Sequence, residues 1–151
     1  MGLEEYRSKR NFAKTGEPDG SEGKERHRSP RFVIQEHDAS RLHYDFRLEI
    51  DGVLKSWAVP KGVPLESGIR RLAVQTEDHP LDYINFEGRI PEGQYGAGEV
   101  RIFDSGTFIL HKQDLEKIEF ELEGEVYSGR YVLIHTGENN WLILKKKDGQ
   151  V

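Results

Sequence analysis

Cysteine is absent from the 151 residues of this sequence. Disulfide scaffolds, thiolate metal sites and cysteine nucleophiles are therefore excluded. The sequence also lacks an apolar run long enough to span a bilayer, and its N terminus shows no secretory signal pattern. These absences predict a cytoplasmic protein with no membrane partner.

A strong excess of positive charge is missing as well. The chain has 22 Lys and Arg residues against 27 Asp and Glu residues, a net charge of −5. A generally basic surface for nucleic acid is therefore not expected, and any phosphate recognition must come from a local cluster of cations.

Glycine and alternating apolar residues, in contrast, are plentiful. From residue 31 onward, short runs of strand-like alternation are separated by turn residues, and Asp51-Gly52 and Ser105-Gly106 have the composition of hairpin turns. The candidate strand segments are 31–37, 41–50, 53–60, 70–77, 84–88, 99–112, 117–136 and 139–147. We therefore predict an all-β protein, a compact closed β-barrel of about eight strands, over residues 31–151. Residues 1–30 are predicted to be a flexible N-terminal segment with a short helix within 3–14.

The stretch HDASRLHYDFRLE (residues 37–49) carries the strongest candidate site. His43 and Asp45 are two residues apart on a predicted strand, so their side chains leave the same face about 6.5–7 Å apart. His37 could join them from the neighbouring strand. Two imidazoles and one carboxylate suit a divalent transition metal with open coordination positions, although a polar outer face would show the same spacing.

Cationic and neutral donors near this stretch suggest an anionic substrate. Arg47 continues the same face, and a guanidinium beside a metal makes chemical sense if a phosphate or carboxylate lies between them. His79, whose backbone is restricted by the following Pro80, could donate to an oxyanion or act as a general acid, with Tyr83 assisting.

Two features are assigned no functional role. The loop PEGQYGAG lacks the order of a phosphate-binding loop and predicts a tight turn, and His27, His111 and His135 are expected to be structural or surface residues.

Two long segments resemble a known family. FVIQEHDASRLHYDFRLEIDGVLKSWAVPKG and LAVQTEDHPLDYINFEGRIPEGQYGAGEV are similar to the 3′-phosphoesterase domain of bacterial DNA ligase D, as are the segment from Tyr6 to Pro18 and the closing GRYVLIHTGENNWLILKKK. The chain has no room for ligase or polymerase modules, so it resembles the free-standing form. The resemblance implies a β-barrel with its site inside one end and a metal-dependent enzyme, with Mn²⁺ as the usual metal.

The resemblance also implies a reaction and a set of residues. A terminal ribonucleoside is removed from a nucleic acid 3′ end by phosphodiester cleavage, and the remaining 3′-phosphate is then hydrolysed to a 3′-hydroxyl for a separate ligase or polymerase. By motif, the metal ligands are His37, His43 and Asp45, and the residues that act on the phosphate are Arg47, His79 and Tyr83. Further functional positions are Gln35, Lys61, Arg71, Arg10, Glu17 and Asn11. Asn11 departs from the family, which commonly has Asp there.

Two other classes of function fit parts of the pattern. A non-haem iron oxygenase also uses two histidines and one carboxylate, but it does not need Arg47 and His79 at the metal. A non-catalytic nucleic-acid-binding barrel would bind its ligand without any metal.

Overall fold

A computed structural model describes residues 3–18 and 29–147 of the chain. Its strands are β1 (Arg31–Asp38), β2 (Leu42–Ile50), β3 (Val53–Val59), β4 (Arg70–His79), β5 (Gly88–Ile90), β6 (Gly98–Gln113), β7 (Lys117–Gly124), β8 (Ser128–Gly137) and β9 (Asn140–Lys145). Two short helices, α1 (Glu4–Ser8) and α2 (Phe12–Thr15), precede the strands, and a 3-10 helix (Leu81–Asn85) follows β4.

The strands close into an antiparallel barrel of eight, as the sequence predicts. Neighbours follow the order β1-β2-β3-β4-β9-β8-β7-β6, and β6 pairs back with β1. The short β5 pairs with the start of β6 outside this ring. Closure gives every barrel strand a hydrogen-bonded neighbour on both sides.

Two predictions about single elements are wrong. Segment 99–112 is not a hairpin turning at Ser105-Gly106, because β6 runs unbroken through both residues. Gly106 pairs with Phe32 of β1 and with Gly124 of β7, and a Cβ at Gly106 would lie 2.3 Å from the Glu123 carbonyl oxygen. The glycine therefore permits a close approach of strands at the closure of the barrel. Segment 84–88 is also not a strand, because the 3-10 helix occupies its beginning and β5 starts at its last residue.

Residues 3–18 contain two short helices where one was predicted within 3–14. The break falls at Arg10 and Asn11, where Arg10 turns its side chain into the molecule. The rest of the predicted flexible segment lies largely outside the described residues. In the described part of the chain, no helix is long and apolar enough to cross a membrane.

The barrel strands carry two chemically different faces. Their inward face forms the main core, which draws on eight strands and includes Phe32, Phe46, Trp57 and Phe120. The outward face of β1 and β3 supplies Val33 and Leu54 to a second apolar cluster. Tyr6 and Phe12 of the N-terminal segment complete that cluster with residues of the 3-10 helix, so this segment packs on the outside of the barrel.

Candidate metal and phosphate site

The predicted site residues lie on the outer face of β1 and β2. His37 pairs directly with His43, and Gln35 pairs with Asp45, so these side chains stand on one face of two neighbouring strands. The alternate residues Phe46 and Leu48 point into the barrel core. The site is therefore not inside one end of the barrel, as the resemblance implied, because strand alternation assigns the inner face to the apolar residues.

His37, His43 and Asp45 come together as predicted. One ligand atom from each can be chosen such that all three lie within 4.8 Å of one another. His37 Nδ1 is 3.3 Å from Asp45 Oδ2, and His43 Nε2 is 3.3 Å from Asp45 Oδ1. The remaining ring nitrogens face backbone carbonyls, His37 Nε2 at 2.7 Å from the Gly96 oxygen and His43 Nδ1 at 3.3 Å from the Arg41 oxygen. Both rings can therefore be oriented through one nitrogen while the other faces the carboxylate.

The electrostatics of the cluster favour a charged carboxylate. Burial alone would raise the pKa of Asp45, but hydrogen bonds from His37 and His43 and the nearby Arg47 guanidinium hold it far below its usual range. The pKa of His43 is raised, chiefly by its hydrogen bond to Asp45, against the opposing effect of burial. Asp45 is thus an ionised ligand candidate at neutral pH.

Arg47 is fixed beside this cluster by contacts on several sides. Its Nε donates to Gln35 Oε1 at 2.7 Å, its Nη2 lies 3.6 Å from Asp45 Oδ2, and its guanidinium sits 4.9 Å from the centre of the Tyr83 ring. Gln35 is fully buried and donates in turn to the backbone oxygens of Tyr83 and Phe86. Gln35 therefore lies behind Arg47 and orients it, while Arg47 lines the pocket.

His79 ends β4 and lies between two guanidinium groups. Its Nδ1 is 2.9 Å from the Glu77 carbonyl oxygen and 3.2 Å from Arg47 Nη1, and its Nε2 is 3.3 Å from Arg10 Nη2. Burial, followed by the charges of Arg47 and Arg10, holds the pKa of His79 well below its usual value. The ring is therefore neutral at neutral pH, with Nδ1–H donating to Glu77 and Nε2 accepting from Arg10.

The N-terminal segment contributes Arg10 and Glu17 to the same wall. Arg10 Nε donates to Glu17 Oε2 at 3.1 Å, and Arg10 Nη1 donates to Glu77 Oε2 at 2.9 Å. Tyr83 donates its hydroxyl hydrogen to Glu17 Oε2 at 2.7 Å. Burial lowers the pKa of Arg10, but Glu17 and Glu77 outweigh it and raise the value, so the guanidinium stays charged.

Sequence reasoning missed two contributors to this site. Glu77 holds Arg10, and its position two residues before His79 on a strand was the available signal. The loop PEGQYGAG does form the predicted turn between β5 and β6, but it also lines the pocket through Tyr95 and Gly96. No local sequence pattern indicated that this loop would fold back over His37.

Other predicted positions lie away from the cluster. Lys61 and Arg71 line a second pocket, which shares no described residue with the first, and Arg71 donates to the backbone oxygens of Lys61 and Gly62. Asn11 is exposed between the two helices and does not line the metal and phosphate pocket among the described residues. Of the histidines given no role, His111 contacts Glu121, His135 contacts the Glu138 oxygen, and His27 lies outside the described residues.

The fold and site together define a β-barrel with a pocket of about 300 Å³ on its outer wall, in which a two-histidine, one-carboxylate cluster adjoins two arginines and a neutral histidine. Such a pocket is suited to a metal ion and an anionic ester. The family model of the DNA ligase D 3′-phosphoesterase domain matches residues 35–135, and the chain belongs to this family.

Several curated relatives are similar over nearly the whole chain. The multifunctional non-homologous end joining protein LigD of Pseudomonas aeruginosa is 51% identical over 98% of this chain and 19% of its own length. The LigD proteins of Mycolicibacterium smegmatis and Mycobacterium tuberculosis are each 48% identical over 97% of the chain and 21% and 20% of their own lengths. The chain thus spans about a fifth of the length of these relatives.

Proposed function

We propose that this chain is a metal-dependent phosphoesterase that heals the 3′ ends of nucleic acids. It removes a 3′-terminal ribonucleoside as a phosphodiesterase and then removes the 3′-phosphate as a phosphomonoesterase. The observation that carries the proposal is the placement of the His37, His43 and Asp45 cluster directly beside Arg47, in a pocket that His79 also lines. The relatives' names place them in non-homologous end joining, so broken DNA ends are the proposed substrate and a DNA ligase and polymerase the proposed partners.

The three candidate ligands fit a divalent transition metal. They offer two imidazole nitrogens and a carboxylate that is ionised at neutral pH, and backbone oxygens accept from the opposite nitrogens of both rings. Mn²⁺ is the proposed ion, as the family resemblance implied. When bound there, the metal would polarise a phosphoryl oxygen and lower the pKa of a bound water.

The surrounding side chains have distinct tasks in the proposed reaction. Arg47 binds the phosphate oxygens and stabilises the charge that grows on them, with its orientation held by Gln35. His79 is neutral before substrate binds, so its Nε2 can accept a proton, and a bound phosphate dianion would favour its protonated form. Tyr83 supports both residues, because its ring contacts Arg47 and His79 while its hydroxyl is committed to Glu17.

The alternatives from sequence receive less support. An iron oxygenase does not need Arg47 and His79 together at the metal, and a non-catalytic barrel does not need the metal cluster. Membership of a phosphoesterase family favours neither of them.

The test is a 5′-labelled primer–template with a single 3′ ribonucleotide, incubated with metal-stripped protein and Mn²⁺. We expect a shortened strand ending in a 3′-phosphate, followed by a strand of the same length ending in a 3′-hydroxyl. His43→Ala should weaken Mn²⁺ binding, measured by electron paramagnetic resonance, by at least tenfold, and should reduce both reactions at least 100-fold.

The matched control is His111→Ala, which removes an outer histidine that contacts Glu121 away from the pocket. It should leave Mn²⁺ binding and both reaction rates unchanged. Cleavage that persists in excess EDTA, or full activity in His43→Ala, would refute the proposed function.

A further inference from the structure

Tyr95 is an exposed aromatic residue on the wall of the phosphate pocket. The side chain stands in the loop between β5 and β6 with 47% of its surface accessible, and among the exposed large apolar or aromatic residues described it is the one that lines this pocket. The same ring lines a neighbouring pocket with Lys9, Gln75 and Asn139. Tyr95 therefore stands where the two pockets meet.

The loop that carries Tyr95 is attached to the metal cluster. The carbonyl oxygen of Gly96 faces His37 Nε2 at 2.7 Å, so the residue after Tyr95 holds a candidate metal ligand. Gly96 has a φ of +77°, which other residues adopt only with strain, and backbone bonds from Gln94 to Pro91 and from Ala97 to Gln94 close the loop. The backbone that carries the ring is thus held at a set position relative to the candidate metal ligands.

Cations from the N-terminal segment also contact the ring of Tyr95. Lys9 Nζ is 4.7 Å from its centre, and Arg10 Cζ is 5.3 Å from it while lying 4.0 Å from the ring of Tyr6. Lys9 Nζ is also within 3.4 Å of the Tyr95 hydroxyl. These contacts limit the rotation of the ring and leave about half of its surface for a ligand.

The two pockets that adjoin the phosphate site differ in size. The pocket that shares Tyr95 with the phosphate site has a volume of about 260 Å³, and the pocket that shares Ala39, Ile90 and Gly96 with it has about 480 Å³. At a strand end, one nucleoside lies on the 3′ side of the scissile phosphate and the rest of the strand on the 5′ side. By volume, the smaller pocket suits the single nucleoside and the larger pocket suits the continuing strand.

We propose that Tyr95 is a stacking platform for the base of the 3′-terminal nucleoside, the group that leaves in the phosphodiesterase step. The inference rests on the proposed function, because it assumes a nucleic acid 3′ end in the pocket. Stacking on an aromatic ring tolerates any base, since every base offers a π face, so the site would select for the presence of a terminal base without reading its identity.

Kinetics with Tyr95→Ala test the platform. The KM for removal of a 3′-terminal ribonucleoside should rise about tenfold with little change in kcat, because stacking contributes to substrate binding. The loss should be much smaller on a 3′-phosphate, which has no base on its 3′ side, and on a substrate whose terminal ribose lacks its base. Tyr95→Phe keeps the ring and loses only the hydroxyl contact with Lys9, so its KM should stay much nearer to that of the unaltered protein than the KM of Tyr95→Ala does.

A binding measurement separates this inference from the proposed function. With EDTA present and no reaction possible, the fluorescence of a 3′-terminal 2-aminopurine riboside should be quenched by the unaltered protein and by Tyr95→Phe, but not by Tyr95→Ala. If the unaltered protein quenches this fluorescence but does not cleave the strand when Mn²⁺ is supplied, only the proposed function is contradicted. Three results for Tyr95→Ala would each overturn the stacking role. They are a KM change of the same size on the 3′-terminal ribonucleoside and on the 3′-phosphate, a loss of Mn²⁺ affinity as large as the KM change, and quenching that persists.

Discussion

Arg47 is held in place before any substrate arrives. Gln35 fixes its Nε, Asp45 lies beside its Nη2, and the Tyr83 ring lies under its guanidinium. An arginine that is already oriented loses less conformational freedom when it binds a phosphate. A planar guanidinium can also donate to Gln35 and present two further donors to phosphate, which an ammonium group at the same position cannot.

We therefore expect Arg47→Lys to be a poor substitute. The charge is kept, but the bond from Nε to Gln35 is lost, and kcat/KM on a 3′-phosphorylated oligonucleotide should fall about 100-fold. Arg101→Lys is the control, because Arg101 is an exposed residue paired with Glu36. An Arg47→Lys rate within twofold of the unaltered protein would mean that Arg47 does not bind the phosphate as a guanidinium.

His79 makes the stability of the fold depend on pH. It faces Arg47 from β2, Arg10 from the N-terminal segment and the rings of Tyr6 and Tyr83, and the attraction of Asp45 is too small to offset burial and the two cations. The folded protein therefore resists protonation of His79, whereas the unfolded chain accepts a proton near pH 6.5. Above that pH, His79 does not lower the free energy of unfolding. Below it, His79 lowers this free energy by an amount that grows as the pH falls.

His79→Gln should therefore reduce the sensitivity of the protein to acid. Urea unfolding in EDTA between pH 7.5 and 5 should show that the unaltered protein loses up to about 1.4 kcal/mol per pH unit below pH 6.5 more than the variant. All other titratable groups are the same in both proteins, so their contributions largely cancel in the difference. If the free energies of unfolding of the two proteins change with pH in parallel, His79 takes up a proton as readily in the folded protein as in the unfolded chain.

At the scale of elements, the N-terminal segment is part of the site wall. The side chains of Arg10, Glu17 and Glu77 are at most 4% exposed, and Tyr6 donates its hydroxyl hydrogen to the Pro18 carbonyl. The buried guanidinium is the partner that both carboxylates share. Without it, Glu17 would keep only the Tyr83 hydroxyl and Glu77 only the partly exposed Lys9, at a cost of about 3–5 kcal/mol if the segment stayed in place.

Arg10→Ala should consequently release this segment from the barrel. Chymotrypsin is a suitable probe, because Tyr6 is buried and Phe12 is partly buried against the barrel in the unaltered protein. Cleavage in this segment should become at least tenfold faster, because detachment costs less than keeping Glu17 and Glu77 buried without the guanidinium they share. The control is Lys14→Ala, which truncates an exposed side chain on α2 and should leave the cleavage rate unchanged. If Arg10→Ala also left the cleavage rate unchanged, the ion pairs of Arg10 would not be what holds the segment.

Elements differed in how much of them the sequence could predict. β1, β2 and β3 were predicted to within a residue or two, because β2 alternates apolar and polar residues and β1 and β3 are short apolar-rich runs next to turn signals. β6 was not, because Ser105-Gly106 has the local composition of a turn. Its unbroken course depends on pairing with β7 and with β1, and β1 is distant in sequence.

At the scale of the whole molecule, one core inside the barrel supports the site outside it. Phe46 packs near the centre, with ring centres 5.7 Å from Phe120, 6.3 Å from Trp57 and 6.4 Å from Phe32. These partners come from β1, β3 and β7, so the contact network links strands from around the ring. The neighbours of Phe46 along β2, Asp45 and Arg47, form the pocket, so packing at Phe46 positions the chemistry on the other face.

Phe46→Ala should therefore destabilise the entire barrel. We expect a loss of about 3–5 kcal/mol in the free energy of unfolding, with a single urea transition of unchanged slope. Leu115→Ala, at a side chain that is 90% exposed, should change that free energy by no more than about 0.5 kcal/mol. Separate transitions by tryptophan fluorescence and circular dichroism would contradict a single cooperative core.

The sequence by itself determined the strand class, the approximate strand count and the grouping of His37, His43 and Asp45, because alternation and spacing are local properties of a strand. It also carried the family resemblance, through long contiguous motifs. Only the tertiary structure decided that the site lies on the outer face, that Lys61 and Arg71 line a different pocket, and that Glu77 and Tyr95 join the wall. Alternation shows that a strand has two faces, but the face that turns inward depends on how all eight strands close around a shared apolar core.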